Sequence, residues 1–271
     1  MPAISAIRER LRSNALVADA VRAARRARDH RRPPVTTPFG FVLRGAGAQG
    51  GAEFEPAETA VLLDLLPEVD VFVDVGANVG RYSCLARSRG VEVIAVEPLP
   101  ANVELLLDNL VRNGWSDVLV LPLALGARNA IAPMFGAGTG ASLTAGWAGV
   151  RTTRPARVPV ATADEELLPR IAGRRALVKV DVEGAERELL AGAERLLRAV
   201  PPPTWLIEVV LDQHHPAGRH PAFAAVMDTF RTAGYTVEAL PDRRVVTPDD
   251  VADWVRVGRV GFGSYNYLCR P

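Results

Sequence analysis

Lysine occurs once in this chain, at Lys179, within the run KVDVEGAE over residues 179–186. Lys179 and Asp181 fall on one face of the strand this run predicts, and Asp181, Val182 and Glu183 emerge at its end beside a glycine. A lysine in an apolar strand is costly unless a carboxylate holds it, so Asp181 is its expected partner. Downstream, Glu208 stands inside the apolar run WLIEVVL of residues 205–211, and Asp212, His214 and His215 follow. A histidine, whose pKa lies near neutrality, suits taking a proton from an alcohol, and the strand-end glutamates are further candidates. The expected catalytic residues are therefore Lys179, Glu183, Glu208 and His214. Plainer readings compete: a structural ion pair for Lys179, a solvated loop for the histidines, and a favourable helix-start charge for Glu186. Asp181 and Glu208, at the ends of neighbouring strands, form a weaker alternative as ligands of Mg2+. No third ligand is evident, so the metal-free route is the preferred expectation.

A second constellation binds rather than reacts. The run VFVDVGANVG over residues 71–80 reads as a buried strand ending in a glycine turn with a helix directly behind it. That arrangement points backbone N–H groups to the carboxyl edge of a parallel sheet, where ligands bind such folds, and Gly76 and Gly80 are expected to let a cofactor approach the backbone. The next predicted strand, 91–96, ends in Glu97, 21 positions after Gly76, the spacing of an acid that accepts hydrogen bonds from a ribose diol. A nicotinamide dinucleotide and S-adenosylmethionine both carry that ribose. Asp74 separates them: a carboxylate just before the turn repels a pyrophosphate but attracts the ammonium of the methyl donor.

The elements that must position these residues alternate. Predicted strands at 69–75, 91–96, 118–121, 176–180, 204–210, 235–240 and 265–269 are interleaved with helices at 58–66, 79–89, 101–113, 185–200 and 222–233. Repeated β-then-α order implies a parallel sheet with helices on both faces. Residues 122–175 interrupt the rhythm with glycines and two short β-like pieces, 131–135 and 158–161, and this insertion is expected to carry substrate contacts. Of 271 residues 48% are apolar, enough for a substantial core, and no apolar run reaches membrane-spanning length. Two cysteines exclude a disulfide scaffold, and a cytoplasmic location is the expectation. Residues 1–34 hold nine arginines against three acids, +6, which leaves −5 for the rest at a whole-chain charge of +1. A basic helical arm ahead of an acidic body disfavours a nucleic-acid partner.

The chain resembles the FkbM family of class I S-adenosylmethionine-dependent methyltransferases. The likeness rests on FVDVGANVGRYS (72–83), AVEP (95–98), LALG (123–126), VPVATAD (158–164), VKVDVEGAE (178–186) and the pair Ile207-Glu208, about residues 70–210 in all. Ala163 stands where the family commonly has leucine. The resemblance implies an α/β, Rossmann-like class I methyltransferase sheet, mostly parallel, with helices on both faces and an antiparallel last strand; the N-terminal helical arm is expected ahead of it. The expected domains are the arm, 1–34, which lies outside the resemblance, and a methyltransferase domain, 35–271, with its cofactor core at about 56–210 and a lid-like insertion at about 127–162. The resemblance further implies that residues 74–80 cradle the methionine part, Glu97 the ribose and residues 123–126 the adenine side. The cofactor-binding set is then Asp74, Gly76, Ala77, Asn78, Gly80, Ser83, Glu97, Pro98, Asn102, Leu125 and Asp181. The expected reaction is methylation of a hydroxyl on a small natural product or sugar. Two alternatives remain at this point: an NAD-dependent oxidoreductase on the same kind of sheet, and a non-catalytic cofactor-binding module recruited through the Arg-rich arm.

Overall fold

A computed structural model describes residues 32–271, apart from residues 46, 52, 53, 151 and 153. The expected arm therefore lies almost wholly outside the described residues. The chain enters through a small hairpin, β1 (Val35–Thr36) and β2 (Val42–Leu43), and α1 (Pro56–Leu65) follows. Next come β3 (Val71–Val75), α2 (Arg81–Ser88), β4 (Glu92–Val96), α3 (Pro100–Arg112) and β5 (Leu119–Leu121). Beyond an insertion the alternation resumes with β9 (Ala176–Val180), α6 (Glu186–Ala191), β10 (Thr204–Glu208), α7 (Phe223–Thr232) and β11 (Thr236–Ala239). The chain closes with β12 (Arg244–Val245), α8 (Pro248–Val257) and β13 (Asn266–Arg270).

Eight strands form the central sheet in the order β12-β11-β13-β10-β9-β3-β4-β5. The five strands from β10 to β5 are mutually parallel, and β13 runs antiparallel to both β10 and β11. Period-2 alternation sorts the strand residues to two cores. Val71, Val73, Val75, Val178, Val180 and Ile207 pack with α6, α7 and α8. Phe72, Leu177 and Leu206 pack with α1, α2 and α3. By the same parity Asp74, Lys179, Asp181 and Glu208 belong to the second face, so the polar residues of three adjacent strands converge on one side of the sheet.

The insertion is more ordered than a loop. β6 (Ala124–Leu125), β7 (Ala130–Met134) and β8 (Ala156–Ala161) make a three-stranded sheet, order β6-β8-β7, with a small core of Leu99, Ala124, Met134, Ala141, Val158 and Val160. Two four-residue helices, α4 (Ala163–Glu166) and α5 (Leu168–Ile171), lead from it to β9.

One expected element is shorter than its pattern. The helix read over 185–200 stops as α6 at Ala191. The Asp164 carboxylate accepts from the backbone N–H groups of Arg195 (3.0 Å) and Leu196 (2.7 Å), while the Gly192 carbonyl accepts from Asp164 N–H (2.8 Å). A Cβ on Gly192 would lie 2.1 Å from the Gly126 carbonyl oxygen, so the insertion and the end of α6 are pinned together at a residue with no side chain. The apolar period continues past this point, but the backbone hydrogen bonds go to Asp164 instead.

Candidate functional site

At the carboxyl edge of β3, β4, β9 and β10 lies a cavity of about 900 Å3, walled by the glycine turn, the start of α3, the segment before α1 and the inner face of the insertion. Its floor is the turn after β3. Gly76, Asn78 and Gly80 adopt positive φ (85°, 52° and 89°), and α2 begins immediately behind them. The missing side chains make room for protein here. A Cβ on Gly76 would stand 1.8 Å from the carbonyl oxygen of Asp181, and one on Gly80 would stand 2.4 Å from Leu106 Cδ1. Of the two glycines expected to admit a cofactor, Gly76 lines the cavity, whereas Gly80 holds the turn against α3.

Glu97, 4% exposed, points into this space from the end of β4. Its carboxylate accepts from Asn78 N–H (2.9 Å), Leu99 N–H (2.9 Å) and Asn102 Nδ2 (3.2 Å). Burial pushes its pKa up to about 7 against the opposing pull of these donors. Pro98, Asn102, Ala77 and Leu125, expected at the cofactor, line the same cavity. Asp74 and Ser83 do not. They satisfy each other behind the turn, Ser83 Oγ donating to Asp74 at 2.6 Å, and full burial raises the Asp74 pKa. Asn109 locks the turn from outside, donating to the carbonyls of Val79 (2.8 Å) and Arg44 (3.0 Å).

The opposite half of the cavity is dominated by carboxylates. Lys179 Nζ lies 3.2 Å from Asp181 Oδ2 and 4.7 Å from the centre of the Tyr82 ring, whose hydroxyl donates to Glu55. Burial alone would depress the lysine pKa. Asp181, Tyr82, Asp74 and Glu55 together hold it above the ordinary value, so Lys179 is a permanent cation. Around it stand Glu55, Asp181, Glu183 and Glu208, all lining the cavity. Burial, reinforced by Asp181, raises Glu183 to about 7 and Glu208 to about 9. One lysine cannot neutralise four carboxylates at close quarters, so the cluster holds exchangeable protons at neutral pH.

Asp181 and Glu208 are brought together as expected, because β9 and β10 are parallel neighbours with Val180 opposite Ile207. Among the described residues no three of His, Cys, Asp and Glu stand in a group able to hold a metal ion. His214 is not at the cavity wall. It is exposed, at φ 67°, with its ring 5.9 Å from that of Trp147 on the insertion. Glu55 and Tyr82 join the cluster around Lys179 and Trp147 contacts Glu183, positions that sequence reasoning missed. Only Tyr82 lay within a recognisable block, and nothing in the local pattern of Glu55 or Trp147 marks it.

A family model described as the methyltransferase FkbM domain matches residues 74–237. A hexuronic acid methyltransferase of Haloferax volcanii, AglP, is 30% identical over 147 residues, which cover 52% of this chain and 56% of that protein. The chain thus matches a little over half the length of that curated relative. Among solved structures, a TehB-like S-adenosylmethionine-dependent methyltransferase from Corynebacterium glutamicum aligns at 12% identity over 83% of this chain and 90% of its own, with TM-score 0.45. Fibrillarin from Aeropyrum pernix, solved with natively bound S-adenosyl-L-methionine, aligns at 12% identity over 74% of this chain and 65% of its own, with TM-score 0.38. With the family model spanning the glycine turn, both strand-end clusters and α7, the chain belongs to the FkbM methyltransferase family.

Proposed function

We propose that this chain is an S-adenosylmethionine-dependent methyltransferase that methylates a hydroxyl of a sugar or sugar-like small molecule, with Glu183 as the base. The observation that carries the reading is the carboxylate cluster itself, which shares one cavity with the glycine turn and Glu97. When bound, S-adenosylmethionine supplies an electrophilic methyl group for in-line displacement by an acceptor oxygen. The residues present fit that cofactor: a buried acid with acceptor capacity at Glu97 for ribose hydroxyls, apolar Leu99 and Leu125 for a base, and Asp181 for an ammonium.

The protein's own work is alignment and proton handling. A hydroxyl is a poor nucleophile until its proton leaves. Glu183, with a pKa of about 7, is partly ionised at neutral pH and can receive that proton. Glu208, at about 9, keeps its proton and can donate a hydrogen bond to the acceptor. The positive charge of Lys179 favours the ionised form of Glu183 that receives the proton. A carboxylate acceptor needs no base and would meet repulsion from Glu55, Asp181 and Glu183, which favours a hydroxyl. The acceptor class also draws support from AglP, whose name specifies hexuronic acid, and Arg154 at the cavity wall offers a cation for an acid group remote from the reacting oxygen.

The test is incubation with S-adenosylmethionine and a panel of hexoses, hexuronic acids and hydroxylated natural products, read by mass spectrometry for the gain of one methyl group. Glu183→Gln should lower turnover by about 100- to 10,000-fold, the usual contribution of a general base. Unchanged turnover in that variant would remove Glu183 from the chemistry.

A further inference from the structure

The turn carrying Glu183 is held from the insertion. Ser142 Oγ donates to the Glu183 carbonyl at 2.5 Å, Thr144 Oγ1 donates to the Gly184 carbonyl at 3.2 Å, and Trp147 Nε1 donates to Glu183 Oε2 at 2.5 Å. Glu183 itself adopts φ 54°. Gly184, at φ 93°, lies flat under the indole: a Cβ there would stand 2.4 Å from Trp147 Cζ3. Trp147 is only 2% exposed although it sits in a glycine-rich stretch with little regular structure. Its burial comes from partners on the far side, where the rings of His214, His215 and His220 stand 5.9, 6.2 and 6.4 Å away. His220 in turn pairs with Glu186 at 3.1 Å, and Glu186 accepts the Gly184 N–H at 2.7 Å. The indole is therefore packed between a histidine-lined wall and the backbone of residue 184, with its single polar atom spent on Glu183.

From this geometry we infer that Trp147 is a positioning residue for Glu183: the insertion fixes the orientation of the carboxylate through the indole N–H, so that the base is set only when the insertion is docked. The inference rests on Glu183 being the base. Trp147 is not among the residues lining the cavity, so its effect reaches the reaction through Glu183 and not through the ligands. An indole donor favours the ionised carboxylate over the acid. The other groups facing Glu183 are Asp181, Glu186 and Lys179, and Glu183 in turn acts on Glu208; all of them persist when the indole is replaced.

Two measurements test this. In the wild-type protein labelled with 15N-tryptophan, one of the four indole N–H resonances should titrate with a midpoint near that of Glu183, about 7, and the titration should vanish in Glu183→Gln. Trp147→Phe keeps an aromatic side chain at this position and removes the donor. Its kcat should fall roughly tenfold at neutral pH and recover as pH rises, because the limb reporting Glu183 moves upward, while binding of S-adenosylhomocysteine stays at the wild-type level. A merely structural role predicts an equal loss of kcat at every pH and weakened binding of that product. Absence of any titrating indole in the wild type overturns the inference whether or not Trp147→Phe folds. Full activity in Glu183→Gln, with the indole titration intact in the wild type, contradicts instead the assignment of Glu183 as base.

Discussion

Glu97 binds three donors with one carboxylate and still holds its proton more tightly than an exposed glutamate, because burial outweighs the donors. Ribose hydroxyls add donors to the ionised form, so cofactor binding should draw the Glu97 pKa down and release a proton near neutral pH. Calorimetry of S-adenosylhomocysteine binding in buffers of different ionisation enthalpy should register that release, and it should disappear in Glu97→Gln. Glu97→Ala should weaken the same binding by about 1–3 kcal/mol, the cost of losing hydrogen bonds to a charged acceptor. Unaltered affinity in both variants would separate Glu97 from the cofactor. His214, exposed and away from the cavity wall, should behave differently: His214→Ala is expected to change turnover by less than about threefold. Much of this scale was legible in the sequence. The Lys179–Asp181 pair follows from two-residue alternation, and Glu97 from its distance to Gly76. What could not be read were partners brought in from far along the chain, such as Glu55 onto Tyr82 and Trp147 onto Glu183, since their spacing of 27 and 36 residues encodes no local pattern.

At the scale of elements, the turn after β3 works because the end of β9 closes on it. The Asp181 N–H donates to the Val75 carbonyl at 2.9 Å, which draws the Asp181 carbonyl against Gly76. Gly76→Ala should therefore cost at least the 1–2 kcal/mol of a left-handed backbone, and more from the collision with a backbone atom that cannot swing away. Chemical denaturation should show a lowered midpoint, and cofactor-product binding should fall with it. A fully stable Gly76→Ala chain would contradict the close approach. The sequence locates both glycines and expects them to admit a ligand; Gly76 does line the cavity while Gly80 packs against Leu106, because a sequence shows where a side chain is missing and not what fills the space. The overextended 185–200 helix has a similar cause: its apolar period is real, but Asp164, some thirty residues upstream, captures the backbone that would have continued it. By contrast, the parallel direction of β3, β4, β5, β9 and β10 followed directly from the alternation of strands and helices.

For the molecule as a whole, Glu97, Glu183 and Glu208 all titrate above an ordinary carboxylate. The folded chain keeps protons that the unfolded chain releases once pH passes the usual carboxylate range. Their stabilising effect is full below that range and is lost as pH climbs through about 7 for Glu97 and Glu183 and about 9 for Glu208. Thermal melts of the cofactor-free protein should show a midpoint that declines from about pH 5 to about pH 9, with a shallower decline in Glu208→Gln. A midpoint flat across that span would contradict the burial of these acids. The sequence also predicts a boundary at Pro33 and Pro34. The hairpin beyond it belongs to the fold, since Phe41 and Leu43 are buried and Val42 exchanges hydrogen bonds of 2.8 and 2.7 Å with Asn113. A chain starting at residue 35 should fold and bind cofactor product, whereas one starting at residue 45 should lose stability.

The central claim is that the carboxylate-lined half of the cavity activates a hydroxyl. The most direct measurement is the site of methylation on a hexuronic acid, an acceptor that offers both a carboxylate and hydroxyls, determined by NMR of the product formed with methyl-labelled S-adenosylmethionine. The account predicts a methyl ether at a ring hydroxyl, formed by the wild type and nearly abolished in Glu183→Gln. A methyl ester at the carboxylate, formed equally well by both proteins, would contradict it.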